Sequence, residues 1–102
     1  MLDKIRRAIV GKNFIVTKHA NTAMDDDMLI LDYVLEATQR GEVIEEYPKD
    51  FPFPSCLVYG RIEIGLDIHC VWAYDDAKKL AILITTYKPD ENEWIDFKAR
   101  RG

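Results

Sequence analysis

Cys56-Leu-Val-Tyr-Gly-Arg-Ile62, Leu66-Asp-Ile-His-Cys-Val-Trp-Ala-Tyr74 and Leu80-Ala-Ile-Leu-Ile-Thr-Thr-Tyr87 are the stretches that decide the fold. Each is rich in β-branched and aromatic residues, and turn signals separate them at Ile64-Gly65 and Asp75-Asp76-Ala77-Lys78, so they predict three strands joined as hairpins. Upstream, residues 49–55 carry Pro52 and Pro54, which donate no ladder hydrogen bond, and predict a loop; residues 43–47, closed by Pro48, predict a further strand.

The period changes before residue 42. Leu2, Ile5 and Ile9 recur at helical spacing and predict a helix over 2–10 ended by Gly11. Phe14-Ile15-Val16-Thr17 is a short strand, and Thr17 is placed to cap a helix over 18–26 that carries Ala20, Ala23 and Met24 on one stripe. Leu31, Val34, Leu35 and Ala37 predict a third helix over 30–40, with Gly41 at a position suited to left-handed backbone. Beyond Pro89, Trp94, Ile95 and Phe97 predict a short tail packed back onto the sheet. Helices first and strands afterwards predict an α+β domain spanning 1–102, its helices on one face of a mainly antiparallel four- to five-stranded sheet and the other face left free.

Charge is polarised along the 102 residues. Residues 1–20 carry a net +4, residues 21–60 a net −7, and the whole chain −4, which argues against a protein that coats nucleic acid but leaves local basic patches. No apolar run approaches the roughly 18 residues of a membrane span, so a cytoplasmic location away from membranes is expected. Cys56 and Cys70 lack C-x-x-C spacing and are expected as reduced thiols. Summed with His19 and His69 they have no metal-ligand spacing, no phosphate-loop or dinucleotide motif occurs, and neither metal nor cofactor is expected.

Five segments carry a resemblance: Phe14-Ile-Val-Thr-Lys-His19-Ala20, Gly41-Glu-Val-Ile-Glu-Glu-Tyr47-Pro48, Phe53-Pro-Ser-Cys-Leu57-Val-Tyr-Gly60, Ile68-His69-Cys-Val71 and Thr85-Thr-Tyr87-Lys-Pro89-Asp90. In this order, over about residues 12–95, they resemble the domain-of-unknown-function family numbered 4258. The resemblance implies a RelE-like fold with MqsR-type relatives: the toxin of a bacterial toxin–antitoxin pair, some of which cleave messenger RNA without a metal. It also implies a small cognate antitoxin of the zinc-ribbon type as partner; a helix-turn-helix antitoxin would fit the same pairing. The chain departs from the family pattern at Asp27, where an arginine is usual, and at Ile30, where a helix-capping serine is usual.

A metal-free ribonuclease needs a base for the 2′-hydroxyl, an acid for the leaving 5′-oxygen and a cation for the phosphorane. His19 and His69 are the candidate acid and base, and Arg61 the candidate cation. Tyr87 and Lys88, at the end of the last strand, suit base stacking and phosphate contact; Tyr59 and Lys18 are further RNA-contact candidates. The plain alternatives are a capping His19, a buried hydrogen-bonded His69, a packing Tyr87 and a solvated Arg61. One question decides His69: a two-residue turn at Ile64-Gly65 sets Arg61 opposite Ile68 and Tyr59 opposite Cys70, and His69 faces away from both. A bulge or three-residue loop shifts the register by one and unites them. The first functional expectation is therefore a toxin-like domain acting on RNA, with metal-independent endonucleolytic cleavage as the activity it would carry. The second is a catalytically silent protein-interaction module using the acidic middle segment.

Overall fold

The structure, a computed structural model, describes residues 1–102. Three helices precede most of the strands: α1 Leu2–Val10, β1 Phe14–Val16, α2 Lys18–Asp26, α3 Leu31–Arg40, β2 Glu42–Tyr47, β3 Ser55–Arg61, β4 Asp67–Asp75, β5 Leu80–Tyr87, β6 Trp94–Ile95 and β7 Ala99–Arg100. Five strands form one sheet in the order β1-β5-β4-β3-β2, with β4 at its centre. The sheet, expected to be mainly antiparallel, is mixed: β1 runs parallel to β5, pairing Phe14 with Ala81 and Val16 with Leu83. Asn13 sets that direction, because its side chain donates to the carbonyls of Lys78 and Lys79 while its own carbonyl accepts from Ala81 N–H.

The helices cover one sheet face. Ile5, Ala20, Met24, Val34 and Ala37 pack there with Cys56, Val58, Ile68, Cys70, Trp72 and Leu83 in a single core. Thr38 of α3 is buried against it and satisfies three groups: its hydroxyl donates to Val34 O at 2.8 Å, accepts from Trp72 Nε1 at 2.9 Å and lies 3.3 Å from Cys70 Sγ. Burial pushes the Cys56 thiol up to about 11 and the Cys70 thiol up to about 12, so both stay protonated at neutral pH. Thr17 caps α2 as expected, accepting from Ala20 N–H at 3.1 Å.

Gly41 has extended backbone, φ −89°, not the left-handed conformation expected of it. Its small size answers a different need. A Cβ there would sit 2.3 Å from Tyr59 O and 2.5 Å from Ala37 O, and one at Gly60 would sit 2.2 Å from Ala37 O. These two glycines let the end of α3 lie directly on β3.

The opposite sheet face is not left free. After Pro89 the chain returns, and β6 and β7 form a small hairpin that covers the Tyr59–His69–Tyr87 end of the sheet. The apolar tail expected from Trp94 and Phe97 is this hairpin. No helix is long and apolar enough to cross a membrane.

Candidate functional site

The β3–β4 loop resolves the register question. Gly65 N–H donates to Ile62 O at 2.9 Å and Ile62 N–H to Leu66 O at 3.0 Å, leaving a three-residue loop of Glu63, Ile64 and Gly65. Gly65 has φ +93°, a conformation open to glycine at no steric cost. Tyr59 therefore pairs with His69 and Arg61 with Asp67, and β5 sets Tyr87 beside His69 on the other side. Tyr59, Arg61, His69 and Tyr87 share the face away from the helices.

His69 is fully buried, under the C-terminal hairpin rather than among the helices. Its ring stands in a box of Tyr59, Tyr87 and Trp94, with centroids 5.8, 5.3 and 4.5 Å away, all edge-on. A carbonyl only accepts, so the 2.6 Å contact between Nε2 and Phe97 O puts the proton on Nε2. Nδ1 is then the bare nitrogen, accepting from the Tyr87 hydroxyl at 3.3 Å. Burial lowers the His69 pKa below its ordinary value, against the opposing pull of the Phe97 carbonyl and the Glu45 carboxylate, so the imidazole is held neutral.

Around this ring the polar groups are paired. Tyr59 Oη donates to Asp67 at 2.6 Å, and burial, then this bond, pushes its pKa up to about 12. Arg61 reaches the same carboxylate at 3.2 Å, its side chain still 64% exposed and open to a further anion. Two ion pairs clamp the hairpin to β2: Arg100 grips both oxygens of Glu45 at 2.8 and 3.0 Å, and Lys98 meets Glu42 at 3.1 Å. Arg100 holds the Glu45 carboxyl below the usual carboxylate range and lies 4.7 Å over the Trp94 ring. Beside the covered histidine a cleft of about 220 Å³ remains open, lined by Arg40, Glu42, Tyr59, Arg61 and Lys98.

His19 does not join this cluster. It stands exposed on the first turn of α2, in the helical layer, and the cap it was a candidate for is made by Thr17. Lys18 is exposed beside it, and Lys88 is exposed at the end of β5, where its backbone N–H donates to Asp27 Oδ2 at 2.7 Å. Asp27 thus ties the end of α2 to the end of β5. Ile30 precedes α3 with no side-chain cap.

Sequence reasoning missed Glu45, Trp94, Phe97 and Arg100 as parts of the cluster. The tail's apolar residues were the available signal; the bidentate pair between Glu45 and Arg100 is separated by 55 positions and had none. No three His, Cys, Asp or Glu side chains gather into a metal-binding group.

Comparison with curated proteins and with solved structures finds no match to this chain. A match to a protein family does exist and spans residues 16–88, from the end of β1 to the residue after β5. It takes in His19, Tyr59, Arg61, His69 and Tyr87, and leaves out α1 and the hairpin that covers His69. The chain therefore belongs to the family described as a domain of unknown function, DUF4258.

Proposed function

We propose that this chain is a toxin-like domain with a metal-independent RNA-cleaving face, described here in its closed form. The observation that carries the reading is the three-residue β3–β4 loop, which brings Tyr59 and Arg61 to the face that carries His69. With the hairpin lifted and Phe97 O withdrawn, a neutral His69 imidazole keeps one bare ring nitrogen, which suits abstraction of a 2′-hydroxyl proton. The 2′-oxygen then attacks phosphorus, and the 5′-oxygen leaves with a proton from a phenol, Tyr87 or Tyr59, both of which remain protonated at neutral pH. Arg61 stabilises the phosphorane, and the cleft shared by Arg40, Arg61 and Lys98 suits the neighbouring backbone phosphates. RNA reaches the His69 ring only when the hairpin lifts.

One observation favours a second reading, a catalytically silent interaction module: both ring nitrogens of His69 are engaged and the ring is wholly covered. The two readings separate in one experiment. Bacteria expressing the wild-type chain should stop growing, and those expressing His69→Gln, confirmed folded by circular dichroism, should not. With purified protein and EDTA present, the substitution should slow RNA cleavage by about 10²–10⁴-fold. Equal RNA decay with both proteins, or none with either at micromolar enzyme, refutes the nuclease. A folded, non-toxic wild type that captures the product of its neighbouring gene then supports the interaction module.

A further inference from the structure

On the helical side, where α1 meets the β4–β5 turn, lies a cleft of about 430 Å³ lined by Lys4, Arg7, Ala8, Gly11, Asn13, Tyr74 and Lys79. Its arginine is unlike the others. Arg6 donates to Thr38 O and Gly41 O, Arg40 to Glu36, Arg61 to Asp67, Arg100 to Glu45 and Arg101 to Glu91 O; the Arg7 side chain alone makes no hydrogen bond or ion pair. Lys79 is also unpaired, and its left-handed backbone, φ 52°, is held in place by Asn13 donating to its carbonyl at 2.7 Å.

A second, independent sign comes from Tyr74. The residue is only 7% exposed and lines this cleft, yet its hydroxyl has no partner in the protein and is not sealed from solvent. Lys4 lies 5.9 Å from the Tyr74 ring and pairs with Asp76 at 2.8 Å. Three of the last four carbonyls of α1, those of Arg7, Ala8 and Ile9, which would repel an anion, are taken by the N–H groups of Gly11, Asn13 and Lys12. The unpaired donors among the lining residues are the Arg7 guanidinium, the Lys79 ammonium and the Tyr74 phenol, with the Lys4 ammonium beside them shared with Asp76.

We propose that this cleft binds a phosphate monoester, with Arg7 and Lys79 on the phosphate, the Tyr74 hydroxyl donating to a phosphate oxygen and the organic body against Ala8 and the Tyr74 ring. Arginine's planar fork matches phosphate geometry, and the volume falls within the roughly 300–1,000 Å³ of small-molecule sites, larger than bare phosphate requires. The monoester is either a free small molecule or the terminal phosphate of an oligonucleotide. The proposal does not depend on the nuclease reading, because the cleft and His69 lie at opposite ends of β4 and on opposite faces.

Titration of the full chain with phenyl phosphate, followed by amide NMR shifts, tests it. Saturable shifts of Arg7, Tyr74 and Lys79 are expected. Affinity should fall about tenfold or more in Arg7→Gln and several-fold in Tyr74→Phe, which keeps the ring. Lys49→Gln, the same charge change on the loop after β2, should bind as wild type. A 5′-phosphorylated tetranucleotide set against its 5′-hydroxyl twin separates the sources: tighter binding than phenyl phosphate, only with the phosphate present, assigns the site to a nucleic-acid end, and equal binding assigns it to a small monoester. Shifts that do not saturate, an unchanged affinity in Arg7→Gln, or an equal loss in Lys49→Gln overturns the proposal.

Discussion

Replacing Arg100 with Gln should loosen the C-terminal hairpin without unfolding the domain. Arg100 contributes a bidentate pair with Glu45 and a guanidinium 4.7 Å over Trp94. The side chains of the pair are 63% and 23% exposed, so the range for exposed ion pairs applies, about 0.2–1 kcal/mol. The stacking over Trp94 adds about 0.5–1 kcal/mol. Opposing them, Asp96 and Phe97 both hold left-handed backbone at φ 52° and 60° with no glycine to relieve it. A loss of about 1–1.5 kcal/mol should therefore raise the open fraction of the hairpin about five- to tenfold.

Native-state amide exchange reads this directly. The amides of Lys98, bonded to Ile95 O, and Arg101, bonded to Glu93 O, should exchange five- to tenfold faster in Arg100→Gln. Amides of β4, the central strand, should keep their rates. Unchanged exchange at Lys98 and Arg101 would show that the ion pair does not hold the hairpin down. Equal acceleration across β4 would show that hairpin and sheet open together, and the closed form would lose its meaning as a local state.

Four further outcomes follow from the core, from His69 and from Glu45. Gly60→Ala should cost more than about 2 kcal/mol in urea unfolding, because the atoms it meets are Ala37 backbone and α3 must move; an unchanged midpoint would contradict the close approach. Thr38→Val should cost about 1–3 kcal/mol by leaving the Trp72 indole N–H without an acceptor, while Thr38→Ser should recover most of it. Acid should weaken the fold through His69: its folded pKa lies below 6.5, so the unfolded chain binds the proton first and stability falls as pH drops below about 6.5. The slope should reach at most about 1.4 kcal/mol per pH unit for this one proton, and His69→Gln should remove that contribution. Glu45 acts lower: its depressed pKa gives stability that is lost only as pH falls below 4.5.

What was legible in the sequence was element type, because β-branched runs and helical stripes report burial locally. Phe14–Val16 was readable as a strand, but three residues carry no direction, and the parallel pairing depends on Asn13 meeting the carbonyls of Lys78 and Lys79, more than 60 positions away. The hairpin was half legible. Its apolar residues announced a packed tail, but the turn through Asp96 and Phe97 contains no glycine, so no turn signal marked it. The glycines at 41 and 60 were conspicuous for the wrong reason: what they supply is room for α3, a property of two elements at once. The candidate site shows the same limit at its sharpest. Tyr59, Arg61, His69 and Tyr87 were visible as candidates, yet their convergence hung on one residue of loop length: with Gly65 at φ +93° the β3–β4 loop is three residues long. Had that loop been two residues, His69 would have turned into the core beside Thr38, and the hairpin that now covers it would lie on Cys70. The position of a side chain on a strand is thus set by the parity of its nearest turn, and the chemistry available on that face follows from it.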